Sequence, residues 1–212
     1  MINWNKYTHV LWDFNGTVYD DMEACLRSVN GMLAERGLPL LTAEAYREVF
    51  DFPVKDYYAR IGFDFSREPF EVLAPLWVAA YERESVESGL FPGVWDAMTR
   101  IRSMGICQEI LSATEETMLA GQLRALGLDR ILDGYQGMGT IHAGGKEALA
   151  QSWRRMHPDA SVLFIGDTTH DAQVAKAMGA DCVLFEGGHM SRRRLEACGV
   201  EIISSFDALF ED

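Results

Sequence analysis

No apolar run in this chain approaches the roughly 20 residues that a helix needs to cross a bilayer, so a membrane partner is not expected. The opening residues, MINWNKYTHV, lack a basic segment followed by an apolar one, and no signal peptide is expected either. Positive charge is scarce. With 19 Lys and Arg against 32 Asp and Glu, the formal net charge is -13. That balance argues against nucleic acid or an anionic membrane as the main partner. It also means that an anionic substrate needs a local cation, for which a metal ion is the natural source. Cysteine is sparse and scattered: Cys25, Cys107, Cys182 and Cys198 form no C-x-x-C pair. This pattern suits reduced thiols in a cytoplasm better than disulfides or a zinc site. Internal repeats, low-complexity segments and charged tails are absent as well. A soluble, cytoplasmic protein is the expectation.

What is present is enough apolar material to fold. The chain has 212 residues, 48% of them hydrophobic, which suffices for one core or one core plus a small accessory domain. HVLWDF (9–14) is a short apolar run of the kind found in a buried strand. From Asp20 the pattern turns helical, with Met22, Cys25, Leu26, Val29 and Leu33 on one face and Gly37 as a stop. TAEAYREVF, VKDYYARIGF and a longer piece from about Arg67 to Glu87 extend this, so that residues 20–88 read as entirely helical. LFPGV (90–94) is a turn signal. Helices and strands then alternate: WDAMTRIRSMG, ICQEILS (a strand weakened by Gln108 and Glu109), ETMLAGQLRALG, a short strand in LDGYQGM, KEALAQSWRRM, SVLFIGD, DAQVAKAMGA, DCVLF, another helix and VEIISS. The alternation implies an α/β fold, a doubly wound, mostly parallel Rossmann-like sheet covered on both faces. The helical block enters as an insertion after the first strand, placed above the carboxyl ends of the strands where such sheets bind ligands. The expected division is a core of 1–19 and 89–212 and an all-helical cap domain of 20–88.

Four features fall at strand ends or helix starts: Asp13, Ser112, Lys146, and the pair Asp167 and Asp171 in IGDTTHD. A parallel sheet brings them to one rim. Together they make a coherent phosphate site. A carboxylate can attack phosphorus to form an aspartyl phosphate. A phosphate beside Asp13, Asp167 and Asp171 is repelled unless a divalent cation intervenes, and oxygen-only ligands suit Mg²⁺. Lys146 supplies a point charge, while Ser112 and adjacent backbone N–H groups can hold phosphoryl oxygens. Each residue also has a plainer reading. Asp13 suits a strand-end turn, Ser112 a helix cap, Lys146 an ordinary surface position and Asp171 the first turn of a helix. Their joint register favours the site.

The chain resembles the haloacid dehalogenase-like superfamily of phosphatases, in its phosphoglycolate phosphatase-like branch. DFNGT (13–17) resembles the family's D-x-D-G-T motif and EILSA (109–113) its second. Lys146 resembles the third, and GDTTHD (166–171) the fourth. The resemblance spans nearly the whole chain. It implies Asp13 as nucleophile and Mg²⁺ ligand, Asp167 as the other carboxylate ligand, and Asp171 as a helper on the metal's waters or on Lys146. It also implies Asn15 as a metal ligand through its backbone carbonyl, and Gly16, Thr17, Ser112, Ala113 and Lys146 around the phosphate. The implied partner is a small phosphorylated metabolite, handled by a monomer or homodimer.

One position departs from the pattern. The family's second aspartate protonates the leaving alcohol and then activates water, and Asn15 can do neither. Loss of such a group costs about 10²–10⁴-fold. Several readings stay open. The chain is a slow phosphatase suited to good leaving groups; or Asp20, Asp21, a cap residue or a water takes over the proton work; or it binds phosphate esters without turnover. An engineered substitution, or a phosphonatase, phosphomutase or dehalogenase activity, is compatible with the same scaffold. His142, His170 and His189 are expected in loops near the rim and His9 in the first strand. None has metal-ligand spacing with another, so solvated or structural roles are expected. Trp12 and Phe14 are expected in the core, and Glu186 is a weak candidate for the site. In the cap, FDFPVKDYYARIGFDF with Arg47, Lys55 and Arg60 suits equally a substrate-facing lid and a small helical core with solvated charges.

Overall fold

The computed structural model describes residues 2–139 and 145–211. Its frame is a six-stranded sheet in which every pairing is parallel. In chain order the strands are β1 (His9–Trp12), β4 (Cys107–Glu115), β5 (Gly134–Met138), β6 (Val162–Gly166), β7 (Asp181–Phe185) and β8 (Glu201–Ile203), arranged 5-4-1-6-7-8. The helices around them are α5 (Val94–Ser103), α6 (Glu116–Ala125), α7 (Gly145–Met156), α8 (Thr169–Ala177) and α9 (Arg192–Glu196). The central strands are apolar at consecutive positions because both faces are covered. Val10, Trp12, Ile110 and Ile165 belong to one core, while Leu11, Leu111 and Phe164 pack with Leu149 and Trp153 of α7 in the other. The doubly wound α/β expectation therefore holds.

Gln108 and Glu109 do not interrupt β4. Gln108 is fully buried, but its amide accepts from Trp12 Nε1 at 3.2 Å and donates to the Met98 carbonyl at 2.8 Å. A polar group with both partners inside the core is compatible with a buried strand. Gln108→Ala leaves the buried Trp12 indole N–H unpaired, while the Met98 carbonyl keeps its helical bond in α5, at a cost of about 1–3 kcal/mol. A lowered urea midpoint with unchanged slope is the expected reading.

Residues 20–88 are helical with one correction. Tyr19–Asp20 (β2) and Gly89–Leu90 (β3) form a two-stranded antiparallel ladder, so the chain leaves and re-enters the sheet side by side. Between them lie α1 (Met22–Glu35), α2 (Ala43–Val49), α3 (Val54–Arg60) and α4 (Phe70–Glu84). α4 is shorter than its expected 67–87 span. Pro69 is in extended conformation at its N-terminus, and a residue before proline is biased away from helix. The apolar face of α1 packs on α4. Among the described residues no helix is long and apolar enough to cross a membrane.

Register builds the rim. Trp12 pairs with Ile110 on one side and Ile165 on the other, so Asp13, Ser112 and Asp167 follow one or two residues later on three adjacent strands. β4 runs past Ser112 to Glu115 through an irregularity after Leu111, because Glu115 regains pairing with Met138. Ser112 therefore sits within the strand instead of ending it. His170 is likewise the second residue of α8, not a loop residue.

Candidate active site

Asp13, Asp167 and Asp171 converge, with one oxygen from each lying within 4.8 Å of the others, and all three are buried. Lys146 enters from the first turn of α7 and donates to Asp13 and, at 2.6 Å, to Asp171. Asp171 is placed by a capping box at the start of α8. Its other oxygen accepts from the Thr168 backbone at 3.0 Å and hydroxyl at 2.6 Å, while Thr168 Oγ1 caps Asp171 N. The plain reading of Asp171 as a first-turn acid is thus true, and one oxygen remains for Lys146. Thr17 is fully buried and donates to Asp167 at 3.1 Å and to Asp13 at 3.4 Å.

The charges do not balance. Three buried carboxylates face one buried ammonium. Burial opposes the charge of Lys146, but Asp13 and Asp171 hold it above the ordinary lysine range. Burial drives Asp167 up to about 6 despite the opposing pull of His189. Burial also raises the Asp13 carboxyl; Lys146 opposes this, and Asp171 and Asp167 add to it. An all-oxygen donor set with surplus negative charge fits a hard divalent cation.

Asn15 is locked. Its carbonyl accepts from Thr114 Oγ1 at 2.6 Å, and its amide donates to Asp21 Oδ2 at 2.7 Å and to Tyr81 OH at 2.9 Å. Asp21 is fully buried. It also accepts from Tyr81 OH at 2.7 Å and from Gly16 N at 3.0 Å, and it lies 3.3 Å from His189 Nε2. Of the two aspartates named as substitutes for proton transfer, Asp20 is exposed and does not line the cavity, whereas Asp21 does. Burial works against the charge of Asp21, but the hydrogen bonds and charge of His189, with Tyr81 and Asn15, hold its carboxyl below the ordinary range. His189 is the reciprocal case. Burial disfavours its charge, yet Asp21 lifts it to about 9.

His189 is therefore not solvated. It is 4% exposed, hydrogen-bonded to Tyr46 OH at 3.0 Å, and its backbone N–H donates to Asp167 at 2.7 Å. Sequence spacing could not expose this pair, because Asp21 and His189 are far apart along the chain. The one local signal is GGH at 187–189 after a strand. A Cβ on Gly188 would collide with Asp167 Oδ2 and the Gly16 carbonyl, and Gly16 has φ +74°. The loop must be bare to approach. Removing His189 leaves Asp21 as an uncompensated buried charge, a loss of about 3–5 kcal/mol. The sign follows from the raised histidine. Its contribution is full below pH 6.5 and is lost as pH rises to about 9. His189→Gln should lower the denaturation midpoint and flatten that alkaline slope.

Above the aspartates lies a cavity of about 300 Å³. Asp13, Asn15, Ser112, Ala113, Lys146, Asp167 and Asp171 border it, whereas Gly16 and Thr17 stand behind its wall. The aromatic segment after α2 serves both uses considered for it. Tyr57 and Tyr58 are buried in the helical core and also line the cavity with Phe50 and Phe52. Its cations point elsewhere. Arg47 donates to the Gly188 carbonyl at 3.0 Å, Arg60 to the Val49 carbonyl at 3.0 Å, and Lys55 lies over the Phe65 ring. Glu186 pairs with Arg192 and does not line the cavity. Trp12 and Phe14 are in the core as expected. His142 lies outside the described residues.

The chain and its fold have known counterparts. The family model for haloacid dehalogenase-like hydrolases matches residues 10–185. The chain belongs to that family. Among curated relatives, it is 25% identical to a phosphoglycolate phosphatase of Synechococcus elongatus over 198 residues, covering 89% of this chain and 88% of the relative. It is 27% identical to a phosphoglycolate phosphatase of Xanthomonas campestris over 194 residues, covering 85% and 83%. A solved haloacid dehalogenase-like hydrolase from Streptococcus pneumoniae shares the fold with a TM-score of 0.84 at 18% identity, over 97% of both chains. CbbY from Rhodobacter sphaeroides, solved in complex with phosphate, superposes with a TM-score of 0.71 at 21% identity over 96% of both chains.

Proposed function

We propose that this protein is a Mg²⁺-dependent phosphatase of small phosphate monoesters, working through an aspartyl phosphate in a core of 1–19 and 89–212 beneath a cap of 20–88. The observation that carries the reading is the convergence of Asp13, Asp167 and Asp171 on one another, with Lys146 paired to Asp13 and Asp171, at the edge of a cavity. The relatives named as phosphoglycolate phosphatases support the reaction class. In the proposed reaction an Asp13 oxygen bonds to phosphorus as the P–O bond to the leaving group breaks. The electron pair departs on that oxygen. Water then releases inorganic phosphate and restores the carboxylate. Lys146 holds the nucleophile and offsets charge on the phosphoryl group, and Ser112 with the Ala113 backbone supplies donors to its oxygens. Asp13, Asp167 and the Asn15 backbone carbonyl would hold the cation, with Asp171 behind them. When bound, the cation neutralises the surplus carboxylate charge and polarises the phosphoryl oxygens.

The amide at Asn15 favours one second reading, a phosphate-ester-binding relative without turnover. Steady hydrolysis of p-nitrophenyl phosphate separates the two, since that leaving group needs little protonation. Turnover that requires Mg²⁺ and stops with chelator supports the enzyme. No turnover across a broad ester panel, with Mg²⁺ still raising the melting temperature, supports the binding relative. A cation present at 100 times its Kd should stabilise the fold by about 2.7 kcal/mol.

A further inference from the structure

The cavity above the aspartates is built for a particular leaving group. The phosphate end is polar, but the far wall is Phe50, Phe52, Val54, Tyr57, Trp77 and Val78. No Lys or Arg from the cap lines it among the described residues. The nearby cations are engaged as described above, and Arg27 and Arg36 are held by Glu84 and Glu68 on the outside. Residues 140–144 are Thr-Ile-His-Ala-Gly and bring no Lys or Arg either. Among the described residues, the three basic side chains that border the cavity each face an acid. Lys146 is shared by Asp13 and Asp171, His189 faces Asp21, and His170 lies 3.5 Å from Glu147 and 5.0 Å from the Phe52 ring centroid. Glu115 and Asp21 add negative charge to the wall.

A second, independent observation concerns the proton. Asn15 cannot protonate a departing oxygen. Behind it the Asp21 carboxylate accepts from the Asn15 amide, the Tyr81 hydroxyl and the Gly16 N–H, so the acid and the phenol at this wall are engaged with each other. An alkoxide is a poor leaving group at such a site, since its conjugate acid is about as weak as water. A phenoxide, whose conjugate acid has pKa near 10, can leave as the anion.

We infer that the substrates are aryl phosphate monoesters, phenols esterified by phosphate and carrying no charge beyond the phosphoryl group, with the ring seated among the aromatic side chains of the cap. This rests on the phosphatase reading and names its substrate class. The ring faces side chains suited to stacked and edge-on contacts. A carboxylate-bearing ester such as 2-phosphoglycolate would place its second anion against rings and acids with no counter-ion. The P–O bond breaks toward the ring, the pair remains on the phenoxide, and solvent protonates it after release.

The test is a comparison of kcat/KM for phenyl phosphate, n-hexyl phosphate and 2-phosphoglycolate on the wild-type protein with Mg²⁺. Phenyl phosphate should lead each of the others by at least about 100-fold. Faster turnover of 2-phosphoglycolate overturns the inference while leaving the phosphatase reading intact. Equal turnover of the hexyl ester overturns the aromatic assignment in the same way. If none of the three esters nor p-nitrophenyl phosphate turns over, the phosphatase reading fails and this inference with it. Val78→Arg, which adds a cation at the far wall, should shift the ratio toward 2-phosphoglycolate by at least about 10-fold. An unchanged ratio in the folded variant overturns the charge argument.

Discussion

Asp13→Asn should abolish hydrolysis of every phosphate ester, by at least about 10⁴-fold in kcat, while leaving the fold intact or firmer. The rate effect follows from the loss of the attacking oxygen. The stability effect follows from the charge count. Burial, with Asp171 and Asp167 as neighbours, raises the Asp13 carboxyl against the pull of Lys146. A carboxyl raised in the folded state opposes folding once pH exceeds its unfolded value. Replacing it with a neutral amide removes that opposition at neutral pH, and Lys146 keeps Asp171 at 2.6 Å. The urea midpoint without Mg²⁺ should therefore stay level or rise, the usual signature of a site held at the expense of stability. Stabilisation by Mg²⁺ should shrink in the variant. Residual turnover near the wild-type rate would place the nucleophile elsewhere, and a collapsed fold would mean that the Lys146 pair outweighs the surplus charge.

Asn15→Asp should raise kcat on alkyl phosphates by about 10²-fold or more and change aryl phosphate hydrolysis little. The replaced Nδ2 stands 2.7 Å from Asp21 Oδ2 and 2.9 Å from Tyr81 OH. A new carboxylate there cannot be ionised alongside Asp21 at that separation, so the pair shares a proton. That proton lies at the cavity wall, where an alkoxide needs it. The cost is structural, because an amide donor to Asp21 becomes a competitor for its charge. The variant should be less stable than the wild type and should regain stability at lower pH, as the shared proton is more firmly held. Equal gains on alkyl and aryl esters would mean that the new group acts on binding instead of on the leaving oxygen. No gain on either would show that Asp21 or a water already moves the proton.

The local patterns in the chain predicted most of the frame. Runs such as VLW and VLFI are apolar at consecutive positions, the pattern of strands covered on both faces, and they are buried throughout. The Gly37 and Gly93 signals marked element boundaries correctly, since both adopt positive φ. One helix was drawn too long, and one strand, correctly placed, had weak local support. Pro69 shortened α4, a local effect outweighed in the reading by a continuing apolar stripe. Gln108 weakened the assignment of β4 because its partners, Trp12 and Met98, come from other elements.

The amino-acid order alone determined the types of group at the site: Asp13, Asn15, Lys146, Asp167 and Asp171 stand just past strands or at helix starts, and Ser112 lies within β4 near the same rim, where a parallel sheet gathers them. Tertiary structure decided what surrounds them. Asn15 is an amide in any fold, but only the packed chain shows it held between Thr114, Tyr81 and an Asp21–His189 pair. The rings and cations of residues 46–60 lie within a few residues of one another, and periodicity could not say which turn inward. Packing settled that by burying the rings against the cavity and drawing Arg47, Lys55 and Arg60 to carbonyls and ring faces outside it. The physical reason is the range of the forces. Strand and helix formation follow neighbours a few residues away, whereas a buried charge is stabilised only by whichever distant group the finished fold brings against it.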